Sequence, residues 1–175
     1  MMFTEKDGWI YTGNADERYV LGQPGVRNML VFGINPSTAV PGKDDPTIRK
    51  VRKITSVSGY DGWIMVNLYP AIASHPEDLP ENADKGLLRK NLKYLKQLQE
   101  QYRIDAVWAA WGDAIDSRDY LGKALVQIQE ALDGDFQWYY RGKMTRKRNP
   151  RHPLYMKEQE TFSWFPVFDY ATVYM

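Results

Sequence analysis

The sequence predicts an α/β fold: a three-layer α/β/α sandwich around a mainly parallel central sheet of about four strands, with an N-terminal β-hairpin added. Three observations carry that prediction. Residues 29–34, 63–66 and 106–111 are nearly continuous apolar runs, the pattern of strands buried on both faces, whereas a half-solvated strand alternates. A helical pattern lies in each gap between them. The strand starts recur at roughly 35–45 residues, the spacing of successive βαβ units.

Taken in chain order, residues 9–12 and 18–21 flank the turn-rich Gly13, Asn14, Ala15 and Asp16, so a hairpin is expected within residues 1–27. Asp45 followed by Pro46 opens the first helix, an acid at the cap and proline at the first helical position, and the helix runs to about Val57 ahead of Gly59. Leu88, Leu92, Leu95, Leu98 and Tyr102 mark a second helix from about Ala83 to Arg103. Leu121, Leu125, Ile128 and Leu132 mark a third, begun near Ser117 and stopped by Gly134. A weaker aromatic run at 136–140 supplies a fourth strand. The aromatic tail, 156–175, is open between an extra strand, a lid and a dimer contact. At 175 residues the chain is expected to form one domain spanning 1–175.

Composition narrows the chemistry. The absence of cysteine removes disulfides, zinc–thiolate sites, iron–sulfur clusters and cysteine nucleophiles. His75 and His152 are the two histidines, too few for a histidine-rich metal site, so neither metal nor cofactor is expected. The apolar runs are far shorter than the ~20 residues of a membrane span, and Glu5, Lys6 and Asp7 stand where a signal peptide would be apolar. A cytoplasmic protein without membrane contact is expected; the oligomeric state is open.

The net charge of +1 conceals two basic stretches. Residues 49–53 carry four positive charges and residues 141–151 carry six, with no acid in either. Such clusters on an otherwise acidic chain suit a polyanion, and they equally suit solvated surface. Arg49, Arg146, Lys147, Arg148 and Arg151 are the phosphate-binding candidates, with nucleic acid or a nucleotide as the expected partner.

Ligands of open parallel sheets bind beyond the carboxyl ends of the strands. There the sequence puts Gly33-Ile34-Asn35-Pro36-Ser37-Thr38-Ala39, then Asn67-Leu68-Tyr69-Pro70, then Trp111-Gly112-Asp113-Ala114, and finally Asn149-Pro150-Arg151-His152-Pro153-Leu154-Tyr155. Two amides, an imidazole and several rings suit a flat, hydrogen-bonding heterocycle. Each segment alone has an ordinary explanation, since Asn-Pro opens turns; the agreement of four weakens it. Asp44 and Asp45 are either helix-capping acids or a general base or divalent-ion ligand, and the cap preference favours the structural role. Ser37 as a nucleophile beside His152 lacks an orienting acid.

Gly33-Ile34-Asn35-Pro36 resembles the first motif of the uracil-DNA glycosylase superfamily, letter for letter that of its mismatch-specific branch. Asn67 resembles the base-reading asparagine of other branches, residues 107–114 resemble the third strand and turn, and His152-Pro153 resembles the start of the His-Pro-Ser motif. Residues 18–155 also resemble a bacterial and phage family of unknown function, through Asn-Pro-Ser-Thr-Ala, Asp-Pro-Thr-Ile-Arg and Pro-Arg-His-Pro-Leu-Tyr. The glycosylase resemblance implies catalytic roles for Asn35, orienting water, and His152, polarising the base. Together with the strand-end reading, it makes Gly33, Ile34, Pro36, Ser37, Asn67, Tyr69, Trp111, Gly112, Pro153 and Tyr155 the expected substrate contacts. Asn35 replaces the aspartate of most active members, and Leu154 replaces the phosphate-clamping serine, which argues against duplex base flipping. The expected function is nucleobase recognition, with N-glycosidic hydrolysis of nucleic acid or nucleosides. The alternatives are a non-catalytic nucleotide-binding module and a hydrolase of another small molecule that uses Asp44 and Asp45.

Overall fold

Every residue of β3 (Asn28–Gly33) and β4 (Gly62–Asn67) is buried, as are the last four of β5 (Ile104–Ala109). Strands so apolar must be covered on both faces. In the computed structural model, which describes residues 3–132 and 136–175, they pair in parallel with β3 in the middle. Side chains alternate between two cores. Met29, Val31, Trp63, Met65 and Trp108 pack with Ile48, Val51 and Ile54 of α1 (Pro46–Val57). Leu30, Phe32, Ile64, Val66 and Val107 pack on the opposite face, against α2 (Lys85–Gln101), α3 (Asp119–Ala131) and α4 (Val167–Ala171).

The expected mainly parallel sheet of about four strands is not what forms. The sheet has seven strands in the order β1-β2-β4-β3-β5-β6-β7, and it is mixed. Antiparallel pairing joins β1 (Ile10–Gly13) to β2 (Arg18–Gln23), β2 to β4, and β6 (Trp138–Arg141) to β7 (Phe162–Trp164). The hairpin is therefore one side of the central sheet rather than an addition to it. The reason lies in β2, whose Arg18, Tyr19, Val20, Leu21 and Gly22 are all buried and need cover on both faces. The aromatic tail supplies the other edge.

The expected cap forms at α1, and α2 has one that was not expected. Asp45 accepts from the Ile48 amide at 2.8 Å at the start of α1, and Asp84 accepts from Gly86 and Leu87 at the start of α2. α3 starts without a side-chain cap, because residues 112–117 wind into a 3₁₀ helix ahead of it. Gly134, the expected stop, lies outside the described residues. Among the described residues no helix is long and apolar enough to cross a membrane.

The tail is bonded to the end of β5. Trp111 Nε1 donates to the Tyr170 hydroxyl at 3.0 Å, and that hydroxyl donates to Asn149 Oδ1 at 2.7 Å. Asn149 Nδ2 donates in turn to Asp113 and Asp116, and Asp116 also accepts from Tyr174. Gly122 in α3 makes room for this arrangement, since a Cβ there would stand 2.0 Å from the Tyr174 ring.

Candidate functional site

A cleft of about 860 Å³ opens at the carboxyl ends of β3, β4 and β5, bounded on one side by the first turn of α1. Gly33 ends β3 beside Asn67, which ends β4. A Cβ on Gly33 would lie 2.8 Å from Asn67 Oδ1 and 2.8 Å from Met65 Cε, so glycine is what lets the Asn67 amide sit there. The Asn67 backbone is well anchored, its carbonyl accepting from Asn91 Nδ2 at 2.9 Å. Its side chain is not. It is 1% exposed, it lines the cleft, and neither Oδ1 nor Nδ2 has a hydrogen-bond partner. Burying an unpaired polar group costs about 1–3 kcal/mol, and the great majority of buried polar side chains avoid that cost.

Asn35 is held differently. Its Nδ2 donates to the carbonyls of Ala73 at 2.8 Å and Pro36 at 3.1 Å, and among the described residues no donor is seen on Oδ1 of this cleft-lining residue. Across the cleft, His152 Nδ1 accepts from the Leu154 amide at 3.2 Å. A neutral imidazole accepting at Nδ1 carries its proton on Nε2, which makes Nε2 a donor. Burial pushes the imidazole pKa below its ordinary value, against the opposing field of Asp45, so the ring is neutral at pH 7. The loop carrying His152 is tied to β5 by the Gly112 amide, which donates to the Pro150 carbonyl at 2.8 Å. Gly112 adopts φ of +68°, a conformation that favours glycine.

Gly33, Ile34, Asn35, Ser37, Asn67, Trp111, Gly112, His152 and Tyr155 thus share one cleft. Pro36, Tyr69 and Pro153 do not line it. The Tyr69 hydroxyl accepts instead from the Asp84 amide that begins α2, and the Pro36 carbonyl accepts from the Ala73 amide. Asp45 borders the cleft while capping α1. Asp44 is held by both oxygens on Arg52 Nη2, at 2.7 and 2.8 Å. Among the described residues no hydrogen bond joins Ser37 to His152, and no group of three or more acidic or histidine side chains could hold a metal ion.

The basic stretches divide by role. Arg146 and Arg151 line the cleft; Arg49, Lys147 and Arg148 do not. Within 49–53, Arg52 binds Asp44, Lys50 donates to the Met156 carbonyl at 2.7 Å, and Lys53 pairs with Glu158 at 2.6 Å. Arg141 is buried, donating to the carbonyls of Glu158 and Glu160. Lys50, Lys53 and Arg141 fasten α1 and β6 to the segment before β7. Arg146, Lys147 and Arg148 ride an exposed turn held by Asp113, which accepts from Thr145 at 2.6 Å and from Asn149 at 2.9 Å. The Thr145 hydrogen bond, aided by Asn149, holds the Asp113 carboxyl below its usual value.

Sequence reasoning missed Arg18, Thr47, Met65, Ser74 and His75, which also line the cleft. Arg18 had a signal: it is a lone cation opening a run of four residues that are otherwise apolar. His75 had none, because it lies on a loop between β4 and α2 with no motif around it.

A family model described as a protein of unknown function (DUF1643) matches residues 18–154. That span begins at Arg18 and includes every cleft residue except Tyr155. No curated protein and no solved structure matches the chain.

Proposed function

We propose that this chain, which belongs to the DUF1643 family of proteins of unknown function, recognises a nucleobase in the cleft and positions it for hydrolysis of its N-glycosidic bond. Asn67 carries the reading: a buried amide with both polar atoms unpaired is a vacant donor–acceptor pair. A pyrimidine edge, with adjacent carbonyl and ring N–H, is its complement. Asn35 Oδ1 accepts a hydrogen bond from water and so orients it toward the anomeric carbon. As that water adds, the C–N bond breaks and its electron pair leaves with the base, and the water's surplus proton ends on the base or in solvent. His152 Nε2–H donates to the base oxygen where negative charge grows, an interaction worth most in the transition state. The glycosylase-like motifs at 33–36 and at His152-Pro153 support the same roles, and Arg146 and Arg151 stand ready for phosphate.

A non-catalytic nucleotide-binding module is the second reading, favoured by Asn35, whose amide cannot take a proton from water. The test is base release from uracil-, thymine-mismatch- and modified-base oligonucleotides and from nucleosides, beside calorimetry on the same ligands. Asn67→Asp should weaken binding about tenfold or more, the worth of an unpaired buried polar group. His152→Ala should lower turnover with little change in affinity if the protein is a hydrolase, and lower affinity alone if it is a binder. If neither variant alters binding or turnover of any of these ligands, the assignment fails.

A further inference from the structure

Arg18 is the first residue of β2, and its backbone is bonded across to Pro70. Its side chain is 3% exposed, yet it lines the same cleft as Asn67. Nη1 donates to the Ala39 carbonyl at 3.0 Å, which secures the loop after β3, while Nε is buried without a partner. Among the described residues no carboxylate lies within 4.0 Å of its guanidinium. Asp45 is the acid whose field reaches it, and Asp45 is already engaged in capping α1. A buried cation without a counter-ion is among the most expensive arrangements a fold can hold. Burial accordingly pulls the guanidinium pKa down to about 10. A guanidinium also offers a planar fork that matches an anion's oxygens.

Two neighbouring features favour an anion in the same place. The positive end of the α1 dipole borders the cleft through Thr47 and Ile48. The cleft volume of about 860 Å³ falls in the upper part of the range that drug-sized ligands fill, about 300–1,000 Å³, and exceeds what one base needs.

We propose that Arg18 is an anion subsite of the cleft, and that the ligand is a phosphomonoester of a nucleoside, its base on Asn67 and its phosphate on Arg18. The inference rests on the nucleobase reading for the base half alone. A phosphomonoester has two sources, a free nucleoside monophosphate and the phosphorylated end of an oligonucleotide.

Calorimetry on the wild-type chain compares each common nucleoside with its 5′-monophosphate, inorganic phosphate alone, and a trinucleotide with and without a 5′-phosphate. The monophosphate of the recognised base should bind about tenfold or more tightly than its nucleoside, the worth of one charge-assisted hydrogen bond. Arg18→Gln should bring the ratio of monophosphate to nucleoside affinity close to one, and Arg18→Lys should restore part of it. A purely structural Arg18 would lower both affinities together. Equal binding of nucleoside and monophosphate by the wild type overturns the anion subsite, needs no variant to fold, and leaves the base reading intact. Phosphate binding that depends on Arg18, with no nucleoside bound, upholds the subsite and removes the base reading. A preference for the phosphorylated trinucleotide over the monophosphate assigns the phosphate to an oligonucleotide end. Binding of none of these ligands removes both.

Discussion

Asn28 and Asn67 stand at opposite ends of the two central parallel strands, 0% and 1% exposed, and their amides meet opposite fates. Asn28 opens β3. Its Oδ1 accepts from the Gly25 amide at 2.8 Å, and its Nδ2 donates to the carbonyls of Gly25 and Arg103 at 2.9 and 3.0 Å. Around it, Asp61 accepts from the amides of Val26 and Arg27, which hold its carboxyl below the usual range, and Asp105 accepts from the Asn28 amide. Asn67 closes β4 with its amide unpaired, and Arg18, which lines the same cleft, has an unpaired Nε. The amino end of the sheet spends its polar groups on closing the fold. The carboxyl end leaves them unpaired on two residues that line the cleft, and each buried group left so calls for an explanation, a functional role among them.

That contrast can be broken at several points. The largest effect is expected at Asn28→Ala, which removes three hydrogen bonds to the backbone of Gly25 and Arg103: unfolding stability should fall by about 3 kcal/mol, with ligand affinity unchanged, as read by denaturant titration and calorimetry. Tyr170→Phe removes the hydroxyl that bridges Trp111 and Asn149, and should cost about 2 kcal/mol in the same titration. Gly33→Ala tests the cleft end directly. Its Cβ would push against Asn67 Oδ1 and Met65 Cε, so stability should fall by only about 1 kcal/mol while ligand affinity is largely lost.

The smallest effect is a pH dependence. Burial depresses the His152 pKa in the folded state, so the unfolded chain takes up the proton first as pH falls. The contribution of this group to stability is complete above the unfolded value of about 6.5 and declines below it. Replacing His152 with Gln should flatten that part of the pH–stability curve; an unchanged slope would show that the imidazole does not titrate as its surroundings require.

Much of the candidate site was legible because its polar residues sit where strands end. Gly33, Asn35, Asn67 and His152 lie next to apolar runs or in turn motifs that sequence alone locates, and they do share a cleft. Tyr69 was misplaced because an aromatic after a strand can turn to either face, and here it turns to cap α2. The sheet was misjudged for a related reason. Parallel pairing shows in continuous apolar runs, but the docking of β2 on β4 and of β7 on β6 joins segments far apart in sequence, and the short β7 has a weak pattern of its own. The basic stretches misled because charge density does not distinguish a cation that binds carbonyls, as Arg141 does, from one that faces a cleft, as Arg151 does.

On the proposed reading, the Asn67 amide is kept for a ligand rather than for the fold. Asn67→Leu, alike in branching and free of polar atoms, tests this when denaturant unfolding and nucleoside or nucleotide calorimetry are run on the same preparation. Stability should equal that of the wild type or exceed it by about 1 kcal/mol, since an unpaired buried polar group is removed, and binding should weaken by about tenfold or more. A variant that loses stability and binds its ligands as the wild type does would contradict it.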